Sequence, residues 1–175
     1  LVERSLVALT QSQRLIRRRG VCEWPNATIS SGFEFLHVLY SDVLYANVAD
    51  ARRAGFHRRI GECEEAAFGD RAPEIAAELA MHFDRSLDIR RAGIYFQYAG
   101  DNARSRCAFR EARAHFERAL DLLGTEPRNT EQIERELSLR LGLGVSIMAT
   151  RGWSAPEVGQ AYSRARALCR EITAS

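Results

Sequence analysis

The chain opens in a helical rhythm. Val2, Leu6 and Leu9 recur at spacings of four and three with Leu1 beside them, so residues 1–12 read as an amphipathic helix. The stretch from Leu15 to Trp24 then carries Ile16, Val21 and Trp24 and stops at the turn signal Pro25-Asn26. Beyond it Ile29, Ser31, Phe33 and Phe35 alternate with Ser30, Gly32 and Glu34. A period of two sends the two sets to opposite faces of a strand. Helix, strand, turn around Trp24 to Thr28 and second strand describe the back half of a winged helix, with the hairpin as its wing.

From His37 the period is helical again, with Leu39, Val43 and Leu44 on one face. Asp50 is the expected N-cap of a helix carrying Ala54, His57, Ile60, Gly61, Glu64 and Phe68. Gly69-Asp70 closes that helix, and Pro73 is expected just inside the next, where Ile75, Leu79 and Phe83 recur every four residues. Further helices are expected at about 88–103, 106–123, 130–150 and 155–173, with breaks at Gly124 to Asn129 and Gly152 to Pro156. The long helix shows Ile133, Leu137, Leu141, Val145 and Met148 on one face and Leu139 and Leu143 on another, which predicts burial on two sides.

Paired helices with short connections invite a search for repeats. Residues 93–126 resemble a tetratricopeptide-like unit of about 34 residues. Gly100 takes the small position of the first helix, and Phe109, Ala112, Phe116 and Ala119 take the aromatic–small–aromatic–small positions of the second. Small residues let two helices approach while the aromatic rings fill the space beside them. Ala99 and Ala103 stand where larger residues are usual. The flanking pairs, about 50–85 and 130–173, match less well; in the last, Tyr162 and Ala165 echo Phe109 and Ala112. The expected fold is therefore mainly α: a partial winged helix with a short β-hairpin over 1–48, then a tetratricopeptide-like superhelix of α-hairpins over 49–175.

Composition narrows the classes. With 46% hydrophobic and 27% charged residues in 175, this is an ordinary globular composition, large enough for one domain or two small ones. All 25 basic residues are arginine against 23 acidic, so the net charge of +2 exerts no global pull on nucleic acid or anionic lipid. The longest uncharged stretch singled out, Leu141 to Thr150, falls short of the roughly 18 apolar residues of a membrane span. The missing lysine fits a high-GC bacterial genome. A start at Leu1 inside an amphipathic pattern is expected of a piece of a longer protein. Cys22, Cys63, Cys107 and Cys169 are tens of residues apart with no C-x-x-C, so they are expected to be buried, reduced thiols of a cytoplasmic protein. Asn26-Ala27-Thr28 matches a glycosylation sequon but has no secretory context.

The run Phe33-Glu34-Phe35-Leu36-His37-Val38-Leu39-Tyr40-Ser41-Asp42-Val43-Leu44-Tyr45 resembles the winged-helix segment of STAND-type signalling ATPases. It is similar, more narrowly, to bacterial predicted ATPases and transcriptional regulators that join a P-loop module to tetratricopeptide-like repeats. Later runs fit the same order: His57-Arg58-Arg59-Ile60-Gly61, Glu74 to Phe83, Leu141-Gly142-Leu143-Gly144, and Ala149 to Val158. The resemblance covers essentially the whole chain. It implies an ATP- or ADP-binding module upstream in the parent protein. No G-x-x-x-x-G-K-[ST] occurs here, and without lysine none could, so these residues are expected not to hydrolyse ATP or hold a cofactor themselves.

Two features are candidate sites. In proteins of that resemblance, a histidine at the start of the helix after the wing contacts the ADP phosphate within a Met-His-Asp motif. Here the residues are Leu36-His37-Val38, and the resemblance implies that His37 meets nucleotide in the full-length parent. Arg17, Arg18 and Arg19 lie beside the wing and could contact DNA phosphates. The alternative for them is a solvated strand end or a contact with the parent's ATPase module. Arg52-Arg53, Arg58-Arg59 and Arg90-Arg91 read as helix surfaces paired with acids such as Asp50, Glu62 and Asp88. Trp153 is expected to anchor the Gly152–Pro156 corner. No catalytic or metal-binding pattern joins His57, His82 and His115. The expected role is a regulatory, protein-interaction region whose partners are protein segments or the parent's ATPase module; a DNA-binding winged helix is the alternative.

Overall fold

The computed structural model describes residues 15–125, 127 and 129–174. The helix expected over 1–12 lies outside them. The fold is mainly helical, with one antiparallel hairpin ahead of the helices. The elements are β1 (Ile16–Glu23), β2 (Ile29–Phe35), α1 (Val38–Ala46), α2 (Asp50–Phe68), a 3-10 helix (Gly69–Ile75), α3 (Ala76–Arg85), α4 (Ile89–Ser105), α5 (Phe109–Leu123), α6 (Thr130–Arg151) and α7 (Pro156–Ala174). They fall into two compact units, residues 1–69 and 70–175.

In the first unit β1 and β2 pair from Ile16 opposite Phe35 to Glu23 opposite Ile29, with an irregularity between Arg18 and Gly20. The turn is closed by backbone bonds from Trp24 N to Thr28 O (2.9 Å) and from Ala27 N to Trp24 O (2.8 Å). Asn26 Oδ1 accepts from Thr28 N, which occupies the side chain of the sequon. Trp24 donates through Nε1 to Ser30 Oγ at 2.9 Å and meets Phe68 edge to face, 6.5 Å between centroids. That contact ties α2 to the hairpin. A second tie is Tyr45 Oη to His57 Nε2, 2.9 Å apart, with His57 buried. The unit therefore runs to Gly69, past the boundary expected at residue 48, and the helix pair expected over 50–85 is divided, with α2 in one unit and α3 in the other.

Asp50 is not the cap of α2. Ala49 holds the cap position without a side-chain bond, and Asp50 is the first helical residue, where its carboxylate pairs with Arg53 and favours the positive end of the helix. Gly69 at φ 52° closes α2, a conformation glycine adopts without cost. Pro73 does not open an α-helix; it sits within the 3-10 segment, and α3 starts at Ala76. The buried positions there are Ala72, Ala76, Leu79, Ala80, His82 and Phe83, with Ile75 only half-buried.

In the second unit successive helices pack on one another: α3 on α4, α4 on α5, α5 on α6 and α6 on α7. Short connections turn each helix back on the last. Asp88 caps α4 through Arg91 N, and Asn129 and Gln132 form a reciprocal capping box on α6. Gly152 at φ 85° ends α6. The core joins Ala103, Ala112, Phe116, Ala119, Leu123, Leu139, Leu143, Ile147 and Val158. On α6 the more deeply buried face is that of Leu139, Leu143 and Ile147, and Leu141 on the other face is 43% exposed.

Two further expectations are corrected. All four cysteines are exposed and free: Cys22 lies on a hairpin strand, Cys63 and Cys169 face outward on helices, and Cys107 occupies a turn at φ 59°. Trp153, expected to anchor its corner, is 79% exposed, and Gly152 at φ 85° ends the helix there. The ring of Tyr162 lies over Gly144 as the ring of Phe116 lies over Gly100.

Candidate functional site

In the first unit the three hairpin arginines are exposed, and strand geometry sends neighbouring side chains apart. Arg17 Nε donates to Glu34 Oε1 across the strands at 2.6 Å, and Arg18 Nη2 donates to Ser31 Oγ at 3.3 Å. Arg19 falls at the irregularity before Gly20, which has φ 110°. His37 stands at the N-terminus of α1 as expected, in extended conformation. Its Nδ1 accepts from Leu39 N at 3.1 Å, so the ring caps the helix with one nitrogen and leaves Nε2 facing away from that bond.

The paired arginine runs are partly as expected. Arg53 pairs with Asp50, and Arg91 Nε lies 3.1 Å from Asp88 Oδ2. Arg90 lies 3.9 Å from Glu131 on α6.

Two of the clefts in the second unit differ in character. One, about 350 Å³, has Leu120, Leu123 and Ile133 as apolar lining and Glu136, Arg140 and Arg164 as polar lining. Glu136 is gripped by both ends of the Arg164 guanidinium at 2.9 Å, with Arg140 Nε 3.6 Å away. The hydrogen bond to Glu136 raises the pKa of Arg164, with the nearby Glu171 carboxylate adding to it. The other cleft, about 240 Å³, is lined by Arg90, Asn129, Glu131, Gln132 and Arg135 where α4 and α6 approach. Arg135 Nε donates to Gln97 Oε1 and Gln97 Nε2 to Ser138 Oγ, each at 3.3 Å. A Cβ at Gly93 would lie 3.0 Å from Arg135 Nη2, so the bare glycine makes room for the guanidinium. The first cleft combines apolar and polar lining, an arrangement suited to holding a polypeptide segment, whereas the second is lined by polar and charged side chains alone.

Of the residues named for repeat packing, Ala112, Phe116 and Ala119 share one core cluster and Gly100 lies against the Phe116 ring. Phe116 is buried, as are Gly100, Ala112 and Ala119, while Phe109 is half-buried at the start of α5. A Cβ at Gly100 would stand 2.6 Å from Phe116 Cε1, and a Cβ at Gly142 would stand 2.6 Å from Phe116 Cζ. Sequence reasoning missed that Gly142 and Gly144 are packing positions. The signal was the Leu141-Gly142-Leu143-Gly144 alternation inside a long helix, where glycine is otherwise unfavourable. The pairing of Tyr45 with His57 carried no such signal, because it joins two helices across a turn.

No family model matches the chain. It is 29% identical over 140 residues to an uncharacterized protein of Rhizobium meliloti (strain 1021), covering 80% of this chain and 14% of that protein. The chain thus spans about a seventh of the length of the relative it matches. No solved structure matches.

Proposed function

We propose that this chain is a non-catalytic regulatory and protein-interaction region of a larger signalling ATPase, coupling the nucleotide state of an upstream module to a partner through a helical-repeat surface. In this reading residues 16–46 belong to a partial winged helix, and the helices of the second unit are tetratricopeptide-like hairpins in a superhelical stack. The observation that carries the reading is the repeated contact of an aromatic ring on a helical glycine: Phe116 on Gly100, then Tyr162 on Gly144. One such contact is ordinary packing. Its recurrence in the next helix pair is what a repeat architecture requires, because each unit buries its face against its neighbour.

The partner is a protein segment or the parent's own ATPase module, seated on the clefted faces of α4 to α7. ATP or ADP binds in the parent, with His37 Nε2 as the donor toward a phosphate. The match to a small part of a much longer bacterial protein agrees with a region that works inside a larger chain. The test is ATP hydrolysis by the full-length protein. The reading expects hydrolysis there, none by residues 1–175 alone, and weaker ADP binding after His37→Ala in the full-length protein. Full-length protein that neither binds nor hydrolyses nucleotide contradicts the reading.

The alternative, a DNA-binding module, is disfavoured because Glu34 and Ser31 already engage Arg17 and Arg18. A titration with duplex DNA at two salt concentrations separates the two. Binding that weakens steeply with salt would favour DNA.

A further inference from the structure

The cleft between α5, α6 and α7 carries two guanidiniums that differ in their bonding. Arg164 is occupied: it grips both oxygens of Glu136 at 2.9 Å and reaches Glu171 Oε1 at 3.3 Å. Arg140 is not. Among the described residues its guanidinium makes no hydrogen bond, and the Glu136 oxygen it is paired with lies 3.6 Å from its Nε. That Nε is itself buried. A buried N–H without an acceptor costs free energy, the more so on a charged group. Glu136 has one charge to offer and Arg164 takes both its oxygens, so the cleft lining carries two positive charges against one negative.

We propose that this cleft recognises an acidic side chain of a protein segment, with a neighbouring aliphatic side chain seated on Leu120, Leu123 and Ile133. The proposal rests on the interaction reading above and names the chemistry of its partner. Three observations select this occupant. First, the charges are complementary. A carboxylate is the acceptor that Arg140 lacks, and a guanidinium meets a carboxylate through two parallel bonds. Second, the lining beside the arginines is apolar: Leu123 is 8% exposed, and Leu120 and Ile133 are half-buried. Apolar walls reduce screening, so a pair formed here is worth more than one on an open surface. The C-terminus of α5 borders the cleft with its carbonyls engaged: Leu120 O accepts from Gly124 N, and Leu122 O from Thr125 N and Oγ1. Third, the size agrees. A cleft of about 350 Å³ lies at the lower end of the range for pockets that enclose a whole small molecule, and it accommodates two adjoining side chains.

The test is a titration of the whole 175-residue chain, without nucleotide, followed by the methyl and arginine Nε resonances. The probes are two blocked tripeptides, acetyl-Leu-Glu-Leu-amide and acetyl-Leu-Gln-Leu-amide. The glutamate peptide is expected to shift the Leu120, Leu123 and Ile133 methyls and the Arg140 Nε, and to bind about five- to tenfold more tightly than the glutamine peptide. Arg140→Met abolishes that preference; because no hydrogen bond of the fold is lost, the denaturation midpoint stays unchanged. Arg140→Lys restores part of the preference. No binding by either peptide, equal affinity for the two, shifts confined to other residues, or a preference that survives Arg140→Met overturns the proposal. So does hexanoate binding as tightly as the glutamate peptide, which would make a small amphiphilic acid the occupant. None of these outcomes bears on nucleotide hydrolysis by the full-length protein, so the cleft assignment and the regulatory reading fail separately.

Discussion

The ring of Phe116 is held between two glycines: a Cβ at Gly100 or at Gly142 would each approach it to 2.6 Å. One aromatic side chain thus sets the spacing of α4, α5 and α6 together. Gly100→Ala and Gly142→Ala are each expected to destabilise the fold by about 1–3 kcal/mol, because a methyl group has nowhere to go in a packed core. Gly159→Ala supplies the internal control. It lies in α7 with nothing within 4 Å of its would-be Cβ, so alanine there is expected to stabilise by about 0.5–1 kcal/mol. Urea denaturation of the three variants reads opposite signs from one chemical change.

The turns after α3 and α4 have the same backbone form. Leu87 N bonds Asp84 O and Asp88 N bonds Phe83 O; Cys107 N bonds Arg104 O and Ala108 N bonds Ala103 O. Leu87 at φ 62° and Cys107 at φ 59° occupy the left-handed position that glycine usually fills. Both side chains are exposed, so little packing is lost on removing them. Leu87→Gly and Cys107→Gly are each expected to raise stability by about 0.5–1 kcal/mol, measured as a higher denaturant midpoint at unchanged slope.

Glu136 and Arg164 join α6 to α7 by two bonds of 2.9 Å, with Glu136 the more enclosed partner at 14% side-chain exposure. A double-mutant cycle with Glu136→Gln and Arg164→Met is expected to give a coupling of about 1 kcal/mol, reduced by the partial exposure of Arg164. The same cycle on Arg71 and Glu74, a solvent-exposed pair, should give no resolvable coupling.

His82 on α3 is buried, and burial lowers its pKa below the ordinary imidazole value; the Arg85 charge acts in the same direction and Glu78 opposes it. In the window between the lowered folded value and the unfolded value near 6.5, the unfolded chain binds the extra proton. Stability from this group is therefore complete above about pH 6.5 and lost as pH falls through the window. Acid titration of the denaturation midpoint should show that loss, and His82→Gln should flatten it.

Local grammar made the hairpin and most helix ends legible. The alternation through Ile29 to Phe35, the Pro25-Asn26 turn and the glycines at 69 and 152 each act within a few residues. The same holds for the Gly100, Ala112, Phe116 and Ala119 set, whose spacing follows from two helices of ordinary length. What was missed depended on contacts distant in sequence. The α6 helix has 22 residues against 17 in α4, and the spacing from Gly144 to Tyr162 differs from that between Gly100 and Phe116, which hid the likeness of the two ring–glycine contacts. The break after Gly69 depends on Trp24 meeting Phe68, residues far apart in the chain. Cysteine is usually a buried residue, and composition alone could not reveal that Cys107 sits on a turn; the corner holding Trp153 was legible, but not that its ring faces solvent.

The most direct measurement of the regulatory account is amide hydrogen exchange on the full-length protein, compared with ADP and with a non-hydrolysable ATP analogue bound. The account predicts a nucleotide-dependent change in protection at residues 38–46 and on the clefted faces of residues 89–151. Identical exchange across residues 15–174 in the two nucleotide states would contradict it.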